Sequence, residues 1–234
     1  MTERLEPALY LVPVPIGNRD DITLRALKTL QRADIIASED TRTTGQLLAL
    51  YGITAERLRA YHDYNEETEA RKLIRKIEQG KAIALVSEAG SPCISDPGFR
   101  VVQAAIQANI AVVPLPGATA FVPALSASGL AVDSFTFLGF PPHKKGRETF
   151  VKSLRERTET VILYESSHRA VKLLEELCEY GSENRRICIA RELTKMYEEF
   201  LRGTVQECLQ RLAARSQQKG EFVFILEGKE KAEE

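Results

Sequence analysis

The chain has 234 residues, 44% hydrophobic and 28% charged, which is room for one large α/β domain or two small ones and the composition of a soluble globular protein. Its 32 Lys and Arg balance 33 Asp and Glu, so net charge advertises no polyanionic partner, and any nucleic-acid contact must use a local patch. No apolar run reaches a membrane-spanning length, and the opening MTERLEPALYLVPVP lacks the basic-then-apolar layout of a signal peptide.

In chain order, LYLVPV (9–14) reads as a strand, and DITLRALKTLQRA follows as a helix behind an Asp cap, with Ile22, Ala26, Leu27 and Leu30 at helical spacing. ADIIAS (33–38) is the next strand, then a helix over TTGQLLALYG and a strand around RLRAYH. EETEARKLIRKIEQG sets acids in its first turn and Gly80 just past its end, as the helix dipole and the C′ position prefer. KAIALV is a buried strand. It opens into SEAGSPCISDPG (87–98), after which Asp96 and Pro97 predict a capped helix with Phe99, Val102 and Ala105 or Ile106 facing inward. IAVVPL (110–115) closes this half.

From PLPGATAFVPALSASG the texture turns to small residues and prolines, which marks a crossing to a second unit. That unit runs SFTFLGF, GRETFVKSLRER, TVILYES, AVKLLEELCEYG, RRICIA, YEEFLRG, TVQECLQRLAARS and EFVFILEG. The expectation is an α/β protein of two domains, 1–115 and 116–229, with mixed sheets flanked by helices and a solvated tail at 230–234. EEFLRG and the terminal EFVFILEG predict antiparallel pairing in the second sheet. The four cysteines, at 93, 178, 188 and 208, form no CxxC pair and have no histidine at ligand spacing, which points to a reducing, cytoplasmic setting without a metal site.

Ligands of open α/β sheets bind outside the carboxyl ends of the strands. Five strand-exit loops are unusual there: PIGNRDD, EDTRTT, SEAGSPCISDPG, PGAT and ESSHR, with RELTK and KGE flanking late strands. Neither GxGxxG nor GxxxxGK[ST] occurs, and two carboxylates and two prolines make SEAGSPCISDPG a poor anion cup. A cationic or amide-like ligand suits it better, because acids and exposed carbonyls accept hydrogen bonds.

LVPVPIGN, SEDTR, SEAGSPCISDPG, PLPGAT, GFPPHKKGR, YESSHR, RELTKMYEEFLRGT and KGEFVFILEG, in that order, resemble the tetrapyrrole-methylase superfamily. More narrowly they resemble its ribosomal RNA branch, which methylates a cytidine ribose 2′-oxygen in small-subunit (16S) rRNA. The resemblance runs from Leu9 to Gly228, with Glu88, Ser91 and Ser167 standing where Asp, Thr and Pro are common. It implies S-adenosyl-L-methionine held in a cleft between two α/β domains, a homodimer, and small-subunit rRNA or the assembled 30S particle as substrate, with no membrane or DNA partner. It also accounts for the missing nucleotide fingerprints, since this class does not use the Rossmann glycines.

On that resemblance the cofactor residues are Pro15, Ser87, Glu88, Ala89, Gly90, Ser91, Ile94, Ser95, Ala118, Thr119, Tyr164, Ala190, Arg191 and Gly220. The acceptor side takes Glu39, Asp40, Arg42, Arg191, Glu192 and Lys195, an acid to receive the 2′-hydroxyl proton and a cation to stabilise the alkoxide. RNA contact falls to PHKKGRETFVKSLRER (142–157), with six Lys or Arg against two Glu, through Lys144, Lys145 and Arg147, joined by Arg185, Arg186 and Lys219.

Structural readings compete with several of these. Glu39 and Asp40 also suit a helix cap, Asp96 is read as structural, and His168 is left out of catalysis. His62 and Asp63 fit a surface turn as well as a substrate rim, and Cys93 reads as a small semi-buried thiol. Two other functions use the same residues: methyl transfer to a tetrapyrrole, and non-catalytic RNA binding in ribosome assembly. The HKKGR patch and the RELTK block favour RNA over a tetrapyrrole, and polar strand-end loops favour a working site over a dead one.

Overall fold

The computed structural model describes residues 4–62, 66–216 and 219–229; the 230–234 tail and Asp63 lie outside them. The chain divides into two compact units, Met1–Thr119 and Ala120–Glu234. The division comes after the PGAT turn rather than before it. Leu115 N–H donates to Leu11 O at 3.0 Å and Ser91 Oγ donates to Ala118 O at 2.8 Å, so both ends of that stretch are tied to the first unit.

The first unit is a parallel sheet of β1 (Leu9–Leu11), β2 (Ile35–Ser38), β3 (Leu58–Ala60), β4 (Ile83–Val86) and β5 (Val112–Pro114), in the order β3-β2-β4-β1-β5. The period-two pleat sorts its apolar residues between two faces. Tyr10, Val12, Ala84 and Val86 join Ala26 and Leu30 of α1 (Leu24–Arg32) and Leu48 of α2 (Thr41–Leu50) on one face. Leu9, Ile83 and Leu85 join Leu73 and Ile77 of α3 (Glu66–Glu78) and Val101 of α4 (Phe99–Gln107) on the other. A strand covered on both faces cannot alternate polar and apolar residues, which is why β4 reads as an unbroken apolar run. Each Leu or Ile buried there contributes about 1.5–3 kcal/mol.

Two helix starts differ from the sequence expectation. Thr23, not an Asp, caps α1, its Oγ1 accepting from Ala26 N–H at 3.0 Å, because Asp21 belongs to a short 3₁₀ turn over Arg19–Asp21. At α4 the chain enters through Gly98 with no capping side chain of its own. Its first amides donate instead to Glu66 of α3, Gly98 N–H at 3.0 Å and Arg100 N–H at 3.3 Å. Asp96 therefore is not the cap that the Asp-Pro pair predicts.

In the second unit α5 (Phe121–Ser126) precedes a sheet of β6 (Phe135–Gly139), β7 (Thr160–Ser166), β8 (Arg186–Arg191), β9 (Glu199–Thr204) and β10 (Glu221–Leu226), ordered β6-β7-β10-β8-β9. β6 and β7 are parallel, while β10 runs antiparallel to both β7 and β8, and β9 antiparallel to β8. Antiparallel pairing is present as expected, but β8 lies between β9 and the terminal strand. Val151 and Leu154 of α6 (Arg147–Leu154), Leu173 and Leu177 of α7 (Ala170–Glu179) and Cys208 and Leu212 of α8 (Val205–Ala213) share one core with Leu163, Ile189 and Phe224. The start of α8 carries a full capping box, Thr204 with Glu207.

Candidate active site

In the first unit the chain leaves β1 toward α1 on one face of the sheet and leaves the adjacent β4 toward α4 on the other. Such a switch point opens a crevice at the carboxyl edge. PIGN and SEAGSPCISDPG both emerge there, and an isolated antiparallel bridge joins them, Val14 N–H to Gly90 O at 2.9 Å and Gly90 N–H to Val14 O at 3.0 Å. Ser87, buried, turns its hydroxyl onto the Ala89 and Gly90 carbonyls at 3.2 and 3.1 Å, and Ser91 reaches Ala118. Pro15, the 87–95 loop, Ala118 and Thr119 thus belong to one set of cross-linked loops.

The backbone there is shaped by special conformations. Cys93 and Ser95 hold positive φ of 70° and 64°, which costs a non-glycine residue about 1–3 kcal/mol each. A Cβ at Gly117 would fall 2.4 Å from Pro13 Cβ, so only glycine lets the PGAT turn pass the β1 exit. The Thr119 hydroxyl is buried without a partner, and a buried hydroxyl left unpaired points to a group the cradle is built to receive. The Cys93 thiol, pushed up to about 11 by burial and the nearby Glu66 and Asp96 carboxylates, is no thiolate nucleophile.

At the end of β2, in register with Val86, Ser38 leads into Glu39 and Asp40. Asp40 caps α2, with Oδ1 accepting from Arg42 N–H at 2.7 Å and Thr43 N–H at 3.1 Å and Oδ2 from Thr43 Oγ1 at 3.0 Å. These bonds, the Thr43 amide foremost, lower its pKa and leave a poor proton acceptor. Arg42 is exposed and 3.8 Å from the same carboxylate.

In the second unit, Glu192 and Thr194 hold positive φ of 50° and 65°, folding RELTK back on itself. Glu192 Oε1 accepts from Lys195 Nζ at 3.0 Å and from Glu221 N–H at 3.1 Å, while Lys195 also meets Glu221 Oε2 at 3.0 Å. Burial alone would raise the Glu192 carboxyl, but Lys195 and the Glu221 amide hold it lowered. A Cβ on Gly220, at φ +104°, would fall 2.5 Å from Glu192 Cγ, so this glycine makes room for the pair. Arg191 donates to Lys219 O at 2.6 Å and lies 3.5 Å from Glu199. Tyr164, on β7, accepts from Phe121 N–H at 3.2 Å and packs edge-on against Phe137 and Phe140. Arg191, Ala190, Gly220 and Tyr164 all lie toward the edge where β8 ends and β10 begins.

The basic candidates separate. Lys144 and Lys145 are exposed in the turn before α6. Arg147 is not: it is 4% exposed, with Nη1 donating to Glu165 Oε2 at 3.1 Å and to Pro142 O at 3.2 Å, and Nε to Glu176 Oε2 at 2.8 Å. Its charge is spent inside the fold, which corrects its assignment to RNA. Arg185 is likewise committed, donating to Leu154 O at 2.7 Å and to Glu227 O at 2.9 Å. Arg186 pairs with Glu227 at 3.5 Å, and both arginines sit at the start of β8, the opposite end of the sheet from Lys219. The buried network of Arg147, Glu165, Glu176 and Arg169, with His143 Nδ1 2.6 Å from Arg169 Nη1, was not anticipated from sequence. Its one signal is Glu165, an acid inside the apolar strand TVILYES.

Residues 8–209 match the model of the Tetrapyrrole (Corrin/Porphyrin) Methylases. The chain belongs to that family. Among its relatives are proteins named ribosomal RNA small subunit methyltransferase I: that of Halalkalibacterium halodurans is 49% identical over 94% of this chain and 75% of its own length. That of Escherichia coli O157:H7 is 48% identical over 97% and 79%. Family members of known structure share the fold at low identity. A cobalt precorrin-4 methyltransferase superposes with TM-score 0.67 at 19% identity, covering 94% of this chain and 95% of its own. The Thermus thermophilus uroporphyrin-III-C-methyltransferase gives 0.65 at 22%, covering 94% and 93%. Among the described residues no His, Cys, Asp and Glu group could hold a metal ion, and no helix is long and apolar enough to cross a membrane.

Proposed function

We propose that this family member is an S-adenosyl-L-methionine-dependent methyltransferase that modifies a cytidine ribose 2′-oxygen of small-subunit ribosomal RNA, as a homodimer in the cytoplasm, acting on the rRNA or the assembled 30S particle. The observation that carries this is 48–49% identity, over nearly the whole chain, to relatives whose names state an rRNA small subunit methyltransferase. The tetrapyrrole enzymes support the fold alone at 19–22% identity.

The loops at the carboxyl edge of the first sheet suit the donor. They offer carbonyls and small residues, a glycine passage at Gly117 and the unpartnered Thr119 hydroxyl, and no phosphate-binding turn. Pro15, Ser87, Glu88, Ala89, Gly90, Ser91, Ile94, Ser95, Ala118 and Thr119 would hold it. When bound, S-adenosylmethionine supplies an electrophilic methyl on a sulfonium. The chain then has to align the acceptor oxygen, exclude water and take one proton. Alignment accounts for about 7–11 kcal/mol of barrier. On the acceptor side the Asp40 carboxylate is engaged by its cap, and Glu39 beside it is assigned to take the proton of the 2′-hydroxyl. Lys144, Lys145 and Lys219 bind RNA phosphates.

Calorimetric titration with S-adenosylmethionine and its demethylated product, followed by mapping of 2′-O-methyl groups on small-subunit particles, tests the reading. Micromolar binding and a new ribose methyl support it. A folded protein that binds neither compound, even with particles present, favours the non-catalytic role. Glu39→Gln is expected to lower kcat about 10²–10⁴-fold with cofactor affinity unchanged; full activity in that variant removes Glu39 as the base.

A further inference from the structure

Outside the strand-end loops, the first unit carries a second concentration of positive charge. The helix α1, LRALKTLQR, contains Arg25, Lys28 and Arg32 and no acid. At spacings of three and seven they share one face, spanning about 10 Å at ~1.5 Å per residue. Arg25 stands in the first turn, where the helix dipole disfavours a cation.

Some cations of other surface helices are paired along the helix. On α3 Arg71 pairs with Glu67 at 2.7 Å and Lys72 with Glu69 at 2.6 Å, and on α6 Lys152 pairs with Glu148 at 2.5 Å. Among the described residues no carboxylate pairs with Arg25, Lys28 or Arg32. The three line a concavity of about 420 Å³ together with Arg4, over a floor that includes Tyr10, and Glu6 is the sole acid in its wall. Arg4 is committed to Asp34 at 3.7 Å and to Gly80 O at 3.2 Å, which leaves the α1 cations free.

We propose that this face of α1 is a second contact surface for RNA phosphates, distinct from the HKKGR turn; the inference rests on the RNA-methylating function above. Three unpaired cations around a hollow fit the negative, repeating oxygens of a phosphodiester chain, with the Arg forks able to hold two oxygens each. Uncompensated like charge, one of it against a helix dipole, works against local stability, and such local conflicts occur at functional surfaces.

The test compares Arg25→Glu with Lys28→Glu combined, both exposed positions, against a control pair, Arg75→Glu with Lys76→Glu, equally exposed on α3 and equal in charge change. Binding of small-subunit rRNA is measured across a salt series, and S-adenosylmethionine binding alongside. The α1 pair is expected to bind RNA at least about tenfold more weakly, with a salt slope shallower by about 1.4, two contacts at ~0.7 each for single strands. The control pair should stay near wild type, and cofactor affinity should not change. RNA affinity and slope equal to wild type overturn the proposal, as does an equal loss in the control, which would be an effect of net charge. Loss only against assembled particles, with naked rRNA binding intact, overturns it in favour of a ribosomal protein contact. A wild-type protein that methylates no small-subunit RNA defeats the functional reading instead, while the phosphate surface is judged on the binding measurements.

Discussion

The side chain on which most of the second unit's polar order converges is Glu165, fully buried between two arginines. Burial alone would raise its carboxyl, but the Arg169 guanidinium, the Ser166 amide and Arg147 together hold it below the ordinary carboxylate range. Through Arg147 it also reaches the Pro142 carbonyl, so this network anchors the turn that presents Lys144 and Lys145. Glu165→Gln leaves the half-buried Arg169 without this counter-charge and the buried Arg147 with Glu176 alone. A loss of about 3 kcal/mol, the lower end for a broken buried ion pair, is expected by denaturant unfolding at neutral pH. A group whose folded pKa lies below its unfolded value contributes stability above the unfolded value, about 4.3 for Glu, and loses it as pH falls through the folded one. The gap between wild type and variant should therefore be full at pH 7 and close on acidification. A gap independent of pH down to pH 2 would mean that packing, not charge, sets the cost.

At the scale of elements, α4 is held by a residue from another helix. Glu66 accepts from the Gly98 and Arg100 amides and from the buried Tyr61 hydroxyl at 2.9 Å, so the carboxylate of α3 closes the far end of the 87–98 loop. Glu66→Ala strands the buried Gly98 amide and the Tyr61 hydroxyl, at about 1–3 kcal/mol for each unsatisfied group. Amide exchange across the first turn of α4 should quicken, and Cys93, packed against Gly98, should react faster with a thiol reagent. Unchanged exchange and thiol reactivity would show that the cap is dispensable. The basic turn before α6 makes a separate prediction. Lys144→Glu with Lys145→Glu should weaken RNA binding at least about tenfold and leave S-adenosylmethionine binding alone, because both side chains point to solvent and neither supports the fold. Parallel loss of both affinities would signal misfolding.

For the whole molecule, a net charge of −1 and a sequence pI near 6.4 give little long-range attraction to RNA. Binding then depends on patches, and a neutral protein with cationic patches discriminates by position rather than by bulk charge. Its RNA affinity should fall steeply with salt while cofactor affinity barely moves. The proposed homodimer is checked by sedimentation equilibrium, where a particle of about twice the 26.1 kDa chain mass is expected and a monomer at micromolar concentration contradicts it.

Much of this is legible in the amino-acid sequence. Short apolar runs and amphipathic stretches place the strands and helices, since the periods of two and 3.6 are local properties of the chain. Strand-end loops rich in Gly, Pro and acids mark the carboxyl edge of the first sheet, and ordered motifs give the family. Tertiary structure decided the rest. Asp40 and Glu39 are neighbours in sequence, yet only the fold shows Asp40 consumed by a cap, because a cap depends on which amides face it. Glu66 and the α4 amides lie some thirty positions apart, and no local period links them. Arg147 read as one more cation in a basic stretch and proved to be the core of an ion network. Composition records a charge, whereas its partners, and hence its availability to RNA, are set by the residues that folding brings around it.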